Sequence, residues 1–317
     1  MKDIPQLAIA LNNACNMDCS YCHPNGANYK CEDTQMSVQE ILRLLKVAYD
    51  IGFRTFRMTG GEPTIRPDLM EILEGIEKFG DDTKILLTTN GFLLQKFADE
   101  ILKLRHINVF LSIDSIEKQY EGLPKKMTPE IEQAIAKISP HHHCRINMVV
   151  MQTNKGSIEN MIKFCQKHNI DLKLHDLYYC EEVLAPDSDS QTFHDREFVS
   201  FSEFIPKLKE MADKTEPFPG HGPYGIPMTT HHIGNIKVIT KDSNKGSWYA
   251  PECKNCKIFP CKHGLYVPQI TCDGYVFPSN CINEEFRFKI IDEPADKIKK
   301  AYQFMINLLQ ESDHQVI

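Results

Sequence analysis

Nowhere in the 317 residues does an apolar run approach the roughly 20 residues that span a bilayer, so no membrane partner is expected. Positive charge is in deficit. Lys and Arg number 36 against 43 Asp and Glu, a net of −7, so the chain lacks the basic face of a nucleic-acid groove. The N-terminal stretch holds Asp3, Pro5 and only a short apolar run, and no secretory signal is expected there. Without one, the twelve cysteines read as metal ligands in a reducing compartment rather than as disulfides. The expectation is a soluble cytoplasmic metalloprotein, long enough for two units.

The cysteine distribution contains a more pointed absence. Cys15-Asn-Met-Asp-Cys19-Ser-Tyr-Cys22 sets three thiols at C-x3-C-x2-C with no fourth in step. Three thiolates can hold three irons of a cubane and leave one iron open to a small amino-acid-like ligand. Iron–sulfur potentials span roughly −700 to +450 mV, so such a cluster can be poised to deliver an electron to that ligand. A zinc loop is the plain alternative, but structural zinc takes four ligands, usually as two C-x2-C pairs.

Hydrophobic periodicity supplies the frame. Leu7–Leu11 reads as a buried strand feeding the cysteine loop. Ser37-Val-Gln-Glu40 is a capping box ahead of a helix with Ile41, Leu44, Leu45 and Ala48 on one face. Strands are then expected at Phe53–Thr59, Ile85–Thr89, Ile107–Ile113, Arg145–Met151 and Leu172–Leu177. Helices are expected from Asp68 to Ile76, Phe92 to Leu104, Glu130 to Ile138 and Ser157 to His168. Six βα units predict an α/β fold, a partial (β/α)6 barrel with a mainly parallel sheet, and chemistry gathered at the strand C-termini. The cysteine loop, Gly60–Pro63, Asn90 and Ser112 all fall at such ends. Residues 178–199 read as a loop or lid, Phe198–Met211 as helix, and Thr215–Pro227 as a Pro/Gly-rich linker. Beyond it, strands at Ile236–Ile239, Gly264–Thr271 and Tyr275–Phe277, the Asp273-Gly274 turn and a helix over Asp296–Leu309 make a small cysteine-rich unit. The domain expectation is therefore 1–214 and 215–317.

The cysteine loop, Arg57-Met-Thr-Gly-Gly-Glu-Pro63, Thr88-Thr-Asn-Gly91, Leu111-Ser-Ile-Asp-Ser115, Arg145-Ile-Asn-Met-Val-Val-Met151 and the tract from Gly222 to Lys237 together carry a resemblance covering nearly the whole chain. It is to the radical S-adenosylmethionine (SAM) enzymes. The chain most resembles the GTP 3',8-cyclase of molybdenum-cofactor biosynthesis and relatives with a C-terminal auxiliary-cluster domain of twitch or SPASM type. The resemblance implies SAM and two [4Fe-4S] clusters, with Cys15, Cys19 and Cys22 holding the first. It places Gly60, Gly61, Glu62 and Pro63 against the methionine part of SAM, Tyr21 against its adenine, and Ser112 and Asn147 on its polar edges. It implies an electron donor such as flavodoxin or ferredoxin and a small-molecule substrate touched by Arg57, Thr88 and Arg145.

The second cluster rests on Cys253-x2-Cys256, Cys261, Cys272 and Cys281. By resemblance Cys253, Cys256 and Cys281 are ligands; Cys261 is an extra candidate that would close the open iron, and Cys272 reads equally as a packed strand residue. Zinc is the bland alternative. Several arginines expected of a GTP site are missing. Ala8 stands where the cyclase has one, Lys257-Ile-Phe-Pro260 replaces those just after the C-x2-C pair, and the double-glycine C-terminus is absent. Arginine forks hold phosphate and guanine edges, so GTP itself is not the expected substrate. Cys180, after the sixth strand, is a candidate hydrogen-atom donor with a buried structural thiol as the alternative. His141–His143 read as a polar loop rather than a metal site, and His221, His231, His232 and His263 as surface histidines, with a position facing the substrate as the alternative.

The leading reading is a radical SAM enzyme that abstracts hydrogen from a small nucleotide or nucleoside-like substrate, with cyclisation or rearrangement following. The alternatives are a peptide-modifying radical SAM enzyme, forming a crosslink or epimer, and a non-catalytic metal scaffold. The scaffold has no use for Gly-Gly-Glu-Pro.

Overall fold

The computed structural model describes residues 4–22, 35–116, 123–177, 188–218, 224–257, 259–261, 264–278, 281 and 283–316. Its first six strands are β1 (Leu7–Ala10), β2 (Thr55–Thr59), β3 (Lys84–Thr89), β4 (Ile107–Ser112), β5 (Cys144–Val150) and β6 (Asp171–Asp176). They lie side by side in sequence order and all neighbours are parallel. Between them run α1 (Val38–Asp50), α2 (Leu69–Glu77), α3 (Leu94–Ile101), α4 (Pro129–Ile138) and α5 (Ile158–His168). This is the partial barrel that the βα repetition predicts, and among the described residues the sheet does not close on itself.

Local chemistry sets the helix entries. The Ser37 hydroxyl accepts from the Glu40 N–H at 3.2 Å, and the Glu40 carboxylate accepts from the Ser37 N–H at 2.7 Å, completing the capping box. Thr128 caps α4 in the same sense, with Pro129 in the first turn. The buried faces of α1, α2, α3, α4 and α5 pack with the outer side chains of the strands into one core, from Leu7, Ile9 and Phe56 through Leu172 and Leu174. The other strand parity points inward. Its rows run Phe110–Arg145–Asp171, Ser112–Asn147–Lys173 and Val149–His175, so the barrel interior is polar and cationic where its exterior is apolar.

Beyond β6 come α6 (Ser188–Glu197), α7 (Ile205–Met211), β7 (Lys214–Pro217), β8 (Met228–Ile233), β9 (Ile236–Lys241), β10 (Ser247–Tyr249), β11 (Pro268–Ile270), β12 (Tyr275–Pro278), β13 (Phe288–Lys289), α8 (Ala295–Gln310) and β14 (Asp313–Gln315). Helix α6 lies in the stretch expected as a loop or lid. It carries no apolar stripe, so periodicity could not signal it. The 215–317 segment, expected as a second unit, supplies strands at both edges of the sheet. β9 pairs parallel with β6, and β11 pairs parallel with β1 on the side away from β2. α8 packs beside α1, where the Tyr302 hydroxyl donates to the Leu44 carbonyl at 3.2 Å and its ring meets Phe53 edge-on. Among the described residues no helix is long and apolar enough to cross a membrane.

Candidate active site

The cysteine loop leaves the C-terminal end of β1 and is stitched to the Gly-Gly-Glu-Pro segment at the end of β2. The Gly61 N–H donates to the Asn12 carbonyl at 3.0 Å and the Glu62 N–H to the Ala14 carbonyl at 2.8 Å, while the Asn12 side-chain amide donates to the Glu62 carbonyl at 2.9 Å. A Cβ on Gly61 would sit 2.1 Å from the Ala14 carbonyl oxygen, and one on Gly60 (φ +141°) 2.5 Å from that of Asn12. The two glycines therefore serve the approach of this segment to the cysteine loop itself, whatever a ligand finds on their other side.

Glu62 is buried and its carboxylate is fully engaged. Oε1 accepts from the Thr64 N–H at 3.0 Å and from the Thr64 and Thr89 hydroxyls at 2.6 Å each, and Oε2 accepts from the Asn90 N–H at 2.6 Å. It fastens the end of β2 to the end of β3. Asn90 continues the tie with a 2.7 Å hydrogen bond to Asn16 in the cysteine loop. Below the loop the buried Arg66 donates to the carbonyls of Leu11 and Met36 and forks onto Asp68, with both bonds at 2.7 Å. The Arg66 brace is announced by no motif.

These ties frame a cavity of about 530 Å³ lined by Cys15, Cys19, Cys22, Gly60, Gly61, Glu62, Thr88, Ser112 and Lys125. Cys15 and Cys22 are exposed and Cys19 is buried, its thiol pushed up to about 11 by burial, with the Lys125 cation opposing. Among the described residues no three Cys, His, Asp or Glu side chains gather round one point that a single ion could occupy. A cubane asks less of them, because each thiolate binds a different iron. Three thiols on one short loop, opening into a cavity with no fourth cysteine on its wall among the described residues, fit a cluster with one open iron.

Tyr21 turns towards the ends of β4 and β5. Its hydroxyl donates to Asp114, its ring packs with Met151 and Leu177, and the Lys125 ammonium lies 4.8 Å from the ring centroid. Asp114 also accepts from the Val149 N–H at 2.9 Å, and burial raises its carboxyl, with Lys125 opposing. Ser112 and Thr88 reach the cavity wall. Asn147, beside Ser112 in the sheet, accepts from Arg145 Nε at 3.0 Å.

Deeper in the barrel, cations converge. Arg57 Nε donates to the Thr88 hydroxyl at 3.2 Å, linking it to the cavity wall. Arg145 is 4% exposed, its guanidinium carbon 3.7 Å from the Phe110 ring centroid, and burial followed by the Arg57 charge pushes it down to about 10. Lys173, which no motif signalled, is also 4% exposed. Burial, then Arg145, Lys241 and Arg57, holds its ammonium well below the ordinary lysine range, and no ion pair reaches it among the described residues. His175 is depressed by burial and by the same four cations. Lys241, over the Tyr266 ring at 5.6 Å, is depressed by burial too, with Asp176 opposing. The acids that could neutralise the two arginines are occupied elsewhere. Asp114 serves Tyr21 and Val149, and Asp176 accepts from the Ser243 N–H at 2.8 Å and from its hydroxyl. Asp171 pairs with His143 at 2.9 Å and favours the charged form of Arg145 only as a minor contribution.

In the C-terminal tract Cys253 is buried and Cys256, Cys261 and Cys281 are half-buried. Cys272 is fully buried and disulfide-bonded, which removes it from the candidate ligands. His231 is buried between Thr215 and Thr240 rather than on the surface, and His232 pairs with Glu216 at 2.8 Å. Cys180, His221 and His263 lie outside the described residues.

A three-thiolate loop at the mouth of a partial barrel, backed by a Gly-Gly-Glu-Pro strand end, defines one class of enzyme, and the chain belongs to it: the radical SAM superfamily, whose family model matches residues 9–165. A [4Fe-4S] cluster and SAM are the cofactors of that class. Among curated relatives it is similar to the probable GTP 3',8-cyclase of Thermococcus kodakarensis, 30% identical over 80% of each chain. It is likewise similar to the GTP 3',8-cyclase of Petrotoga mobilis, 26% identical over 92% of this chain and 85% of that one. Among solved structures it resembles Streptococcus suis SuiB, with a TM-score of 0.61 at 16% identity, covering 95% of this chain and 66% of SuiB. The structure of anSMEcpe with bound AdoMet and a peptide matches with a TM-score of 0.60 at 15% identity, covering 97% and 83%. At those identities the likeness is one of fold.

Proposed function

We propose that this radical SAM enzyme acts on an anionic small molecule of nucleotide or nucleoside type, abstracting a hydrogen atom and leading to cyclisation or rearrangement. The observation that carries the reading is the convergence of the buried Arg145 and Lys173 with the half-buried Arg57 and Lys241 on the barrel interior, next to the cavity at the cysteine loop. Cations buried together repel one another and lose hydration, an arrangement that favours an anion as its natural complement. The names of the curated relatives add weight to a nucleotide, while the missing arginines argue against GTP itself.

The residues fit the expected cofactors. Cys15, Cys19 and Cys22 would hold the first cluster, and Gly60, Gly61, Ser112 and Lys125 line the space in which SAM would lie. When bound, the cluster supplies the electron that splits SAM to the 5'-deoxyadenosyl radical. Around it, Glu62 and Asn90 hold the loop in place, and Arg57 and Arg145 orient the substrate's negative charge. A second cluster on the C-terminal cysteines assists, and a low-potential donor such as flavodoxin or ferredoxin supplies electrons.

Anaerobic titration with a panel of nucleoside phosphates and with neutral peptides tests this. Arg145→Ala is expected to weaken nucleotide binding about 10- to 150-fold, the equivalent of one charge-assisted hydrogen bond, and to leave SAM binding intact. If a neutral peptide binds wild type and Arg145→Ala equally tightly and no nucleotide binds, the peptide-modifying alternative takes over.

A further inference from the structure

His175 faces the barrel interior from β6, in one row with Val149 of β5 and Lys241 of β9. Alternation puts it on the same side of the strand as Lys173, one step nearer the C-terminal end where the cysteine loop opens. The two differ in depth. Lys173 is buried and His175 half-buried, so the lysine belongs to the floor of the interior and the histidine to its accessible wall. Neither ring nitrogen has a hydrogen-bond partner among the described residues. The nearby acids are engaged elsewhere, Asp176 with the Ser243 N–H and hydroxyl and Asp171 with His143. An imidazolium here would add a positive charge to a site that already holds Lys173, Lys241, Arg145 and Arg57. Burial and those four cations keep the ring neutral, its pKa well below the ordinary histidine range.

A neutral imidazole carries one N–H and one lone pair, whereas lysine and arginine only donate. On the same interior face the Thr88 hydroxyl and the Asn147 side-chain carbonyl already accept from Arg57 and Arg145. His175 thus brings an uncommitted acceptor to a wall of donors. We propose that His175 is a substrate-recognition residue, one ring nitrogen accepting a hydrogen bond from a hydroxyl or N–H group of the anionic substrate. This rests on the anionic-substrate reading above and adds a second requirement to it, a donor on the same molecule. Lys173 and His175 are one side-chain step apart, about 6.6 Å along the strand, so charge and donor sit close together on the substrate. A nucleotide carries such a pair, with phosphate as the anion and a sugar hydroxyl or a base N–H as the donor.

The test is calorimetric titration of the anaerobic, SAM-loaded protein. The probes are inorganic triphosphate, the four common ribonucleoside triphosphates, their 2'-deoxy and 3'-deoxy forms, and forms whose base N–H groups are removed or methylated. Wild type is expected to bind at least one ribonucleotide about 5- to 150-fold more tightly than the form lacking one donor. The deoxy arm identifies a sugar hydroxyl, and the base arm an N–H. His175→Leu should erase that preference and leave inorganic triphosphate and SAM bound as before. His175→Phe replaces it if the leucine variant does not fold. His175→Gln, which keeps an acceptor, should retain most of the preference. A preference that survives His175→Leu, or none in wild type, overturns the inference and leaves the anionic reading standing. So does an equal loss for inorganic triphosphate, which would mean that the ring acts as a cation, and so does a glutamine variant no better than leucine. If wild type binds none of the nucleotides, the nucleotide reading itself falls and the inference with it.

Discussion

Replacing Lys173 with methionine should make the ligand-free protein more stable and its nucleotide complex weaker. Lys173 is buried beside Arg145, Lys241 and Arg57 with no ion-pair partner among the described residues. Methionine preserves much of the stem volume and removes the charge. Substituting apolar groups for buried ions stabilises proteins by about 1–4 kcal/mol in favourable cases, and the lower half of that range is expected here because the neighbouring cations remain. The pH dependence follows from the sign of the shift. The folded-state pKa lies below the unfolded lysine value of about 10.4, so the unfolded chain binds more protons and wild-type stability rises with pH in between. The advantage of Lys173→Met is thus full below the depressed pKa and fades as pH climbs towards the unfolded value. On the binding side, losing a charge-assisted hydrogen bond of about 1.5–3 kcal/mol weakens an anionic ligand about 10- to 150-fold. Anaerobic urea denaturation across pH, paired with calorimetric titration of a nucleoside triphosphate, measures both effects. A variant that is less stable at neutral pH and binds the triphosphate unchanged would show that the lysine is structurally compensated, and the substrate argument would lose its base.

Three further outcomes are expected. Reconstituted wild-type protein given reductant, SAM and its substrate should form 5'-deoxyadenosine. The Cys15→Ala, Cys19→Ala, Cys22→Ala variant should form none, and wild-type protein that never cleaves SAM with its clusters intact would contradict the class assignment. Replacing Cys253, Cys256 and Cys281 together should remove one four-iron cluster's worth of iron and sulfide, whereas unchanged iron would place the second cluster elsewhere. Gly61→Ala should push its Cβ into the Ala14 carbonyl, 2.1 Å away, and cost at least about 2 kcal/mol or displace the cysteine loop. A variant with full cluster occupancy and unchanged denaturation would show that the two segments can part freely.

Much of the barrel was legible because parallel strands buried on one face by helices write long apolar runs, and the helices write stripes between them. Leu7–Leu11 and Ile107–Ile113 are examples, and the Ser37–Glu40 capping box even marked where α1 begins. The cysteine loop and Gly60–Pro63 were legible for a different reason, since few other chemistries want those residues at that spacing. What stayed hidden depends on long-range partners. Glu62 reads as one letter of a motif, yet its carboxylate is spent on Thr64, Thr89 and Asn90. Arg145 was expected at the substrate with Arg57 and Thr88, but only the register sets it one strand away from the β6 row that carries Lys173 and His175. Lys173 itself had only the alternation of Leu172-Lys-Leu-His175 to speak for it. Helix α6 has no stripe, and the hairpin of β8 and β9 was half seen, although Gly234-Asn235 between them is a two-residue turn signal.

The position of β1 sets an order of assembly. It is an inner strand, with Arg57 of β2 beside Ala8 on one side and Gln269 of β11 on the other. The strand that carries the cysteine loop therefore gains its second neighbour only from chain made some 260 residues later. Pairing across so long a separation closes a large loop and forms slowly compared with the local βα units. During synthesis the flank of β1 is an unpaired apolar edge, and the loop's thiols hang from a strand held on one side alone. Iron delivered before β11 docks meets a half-built receptacle, so maturation of the first cluster belongs after translation has passed the C-terminal strands.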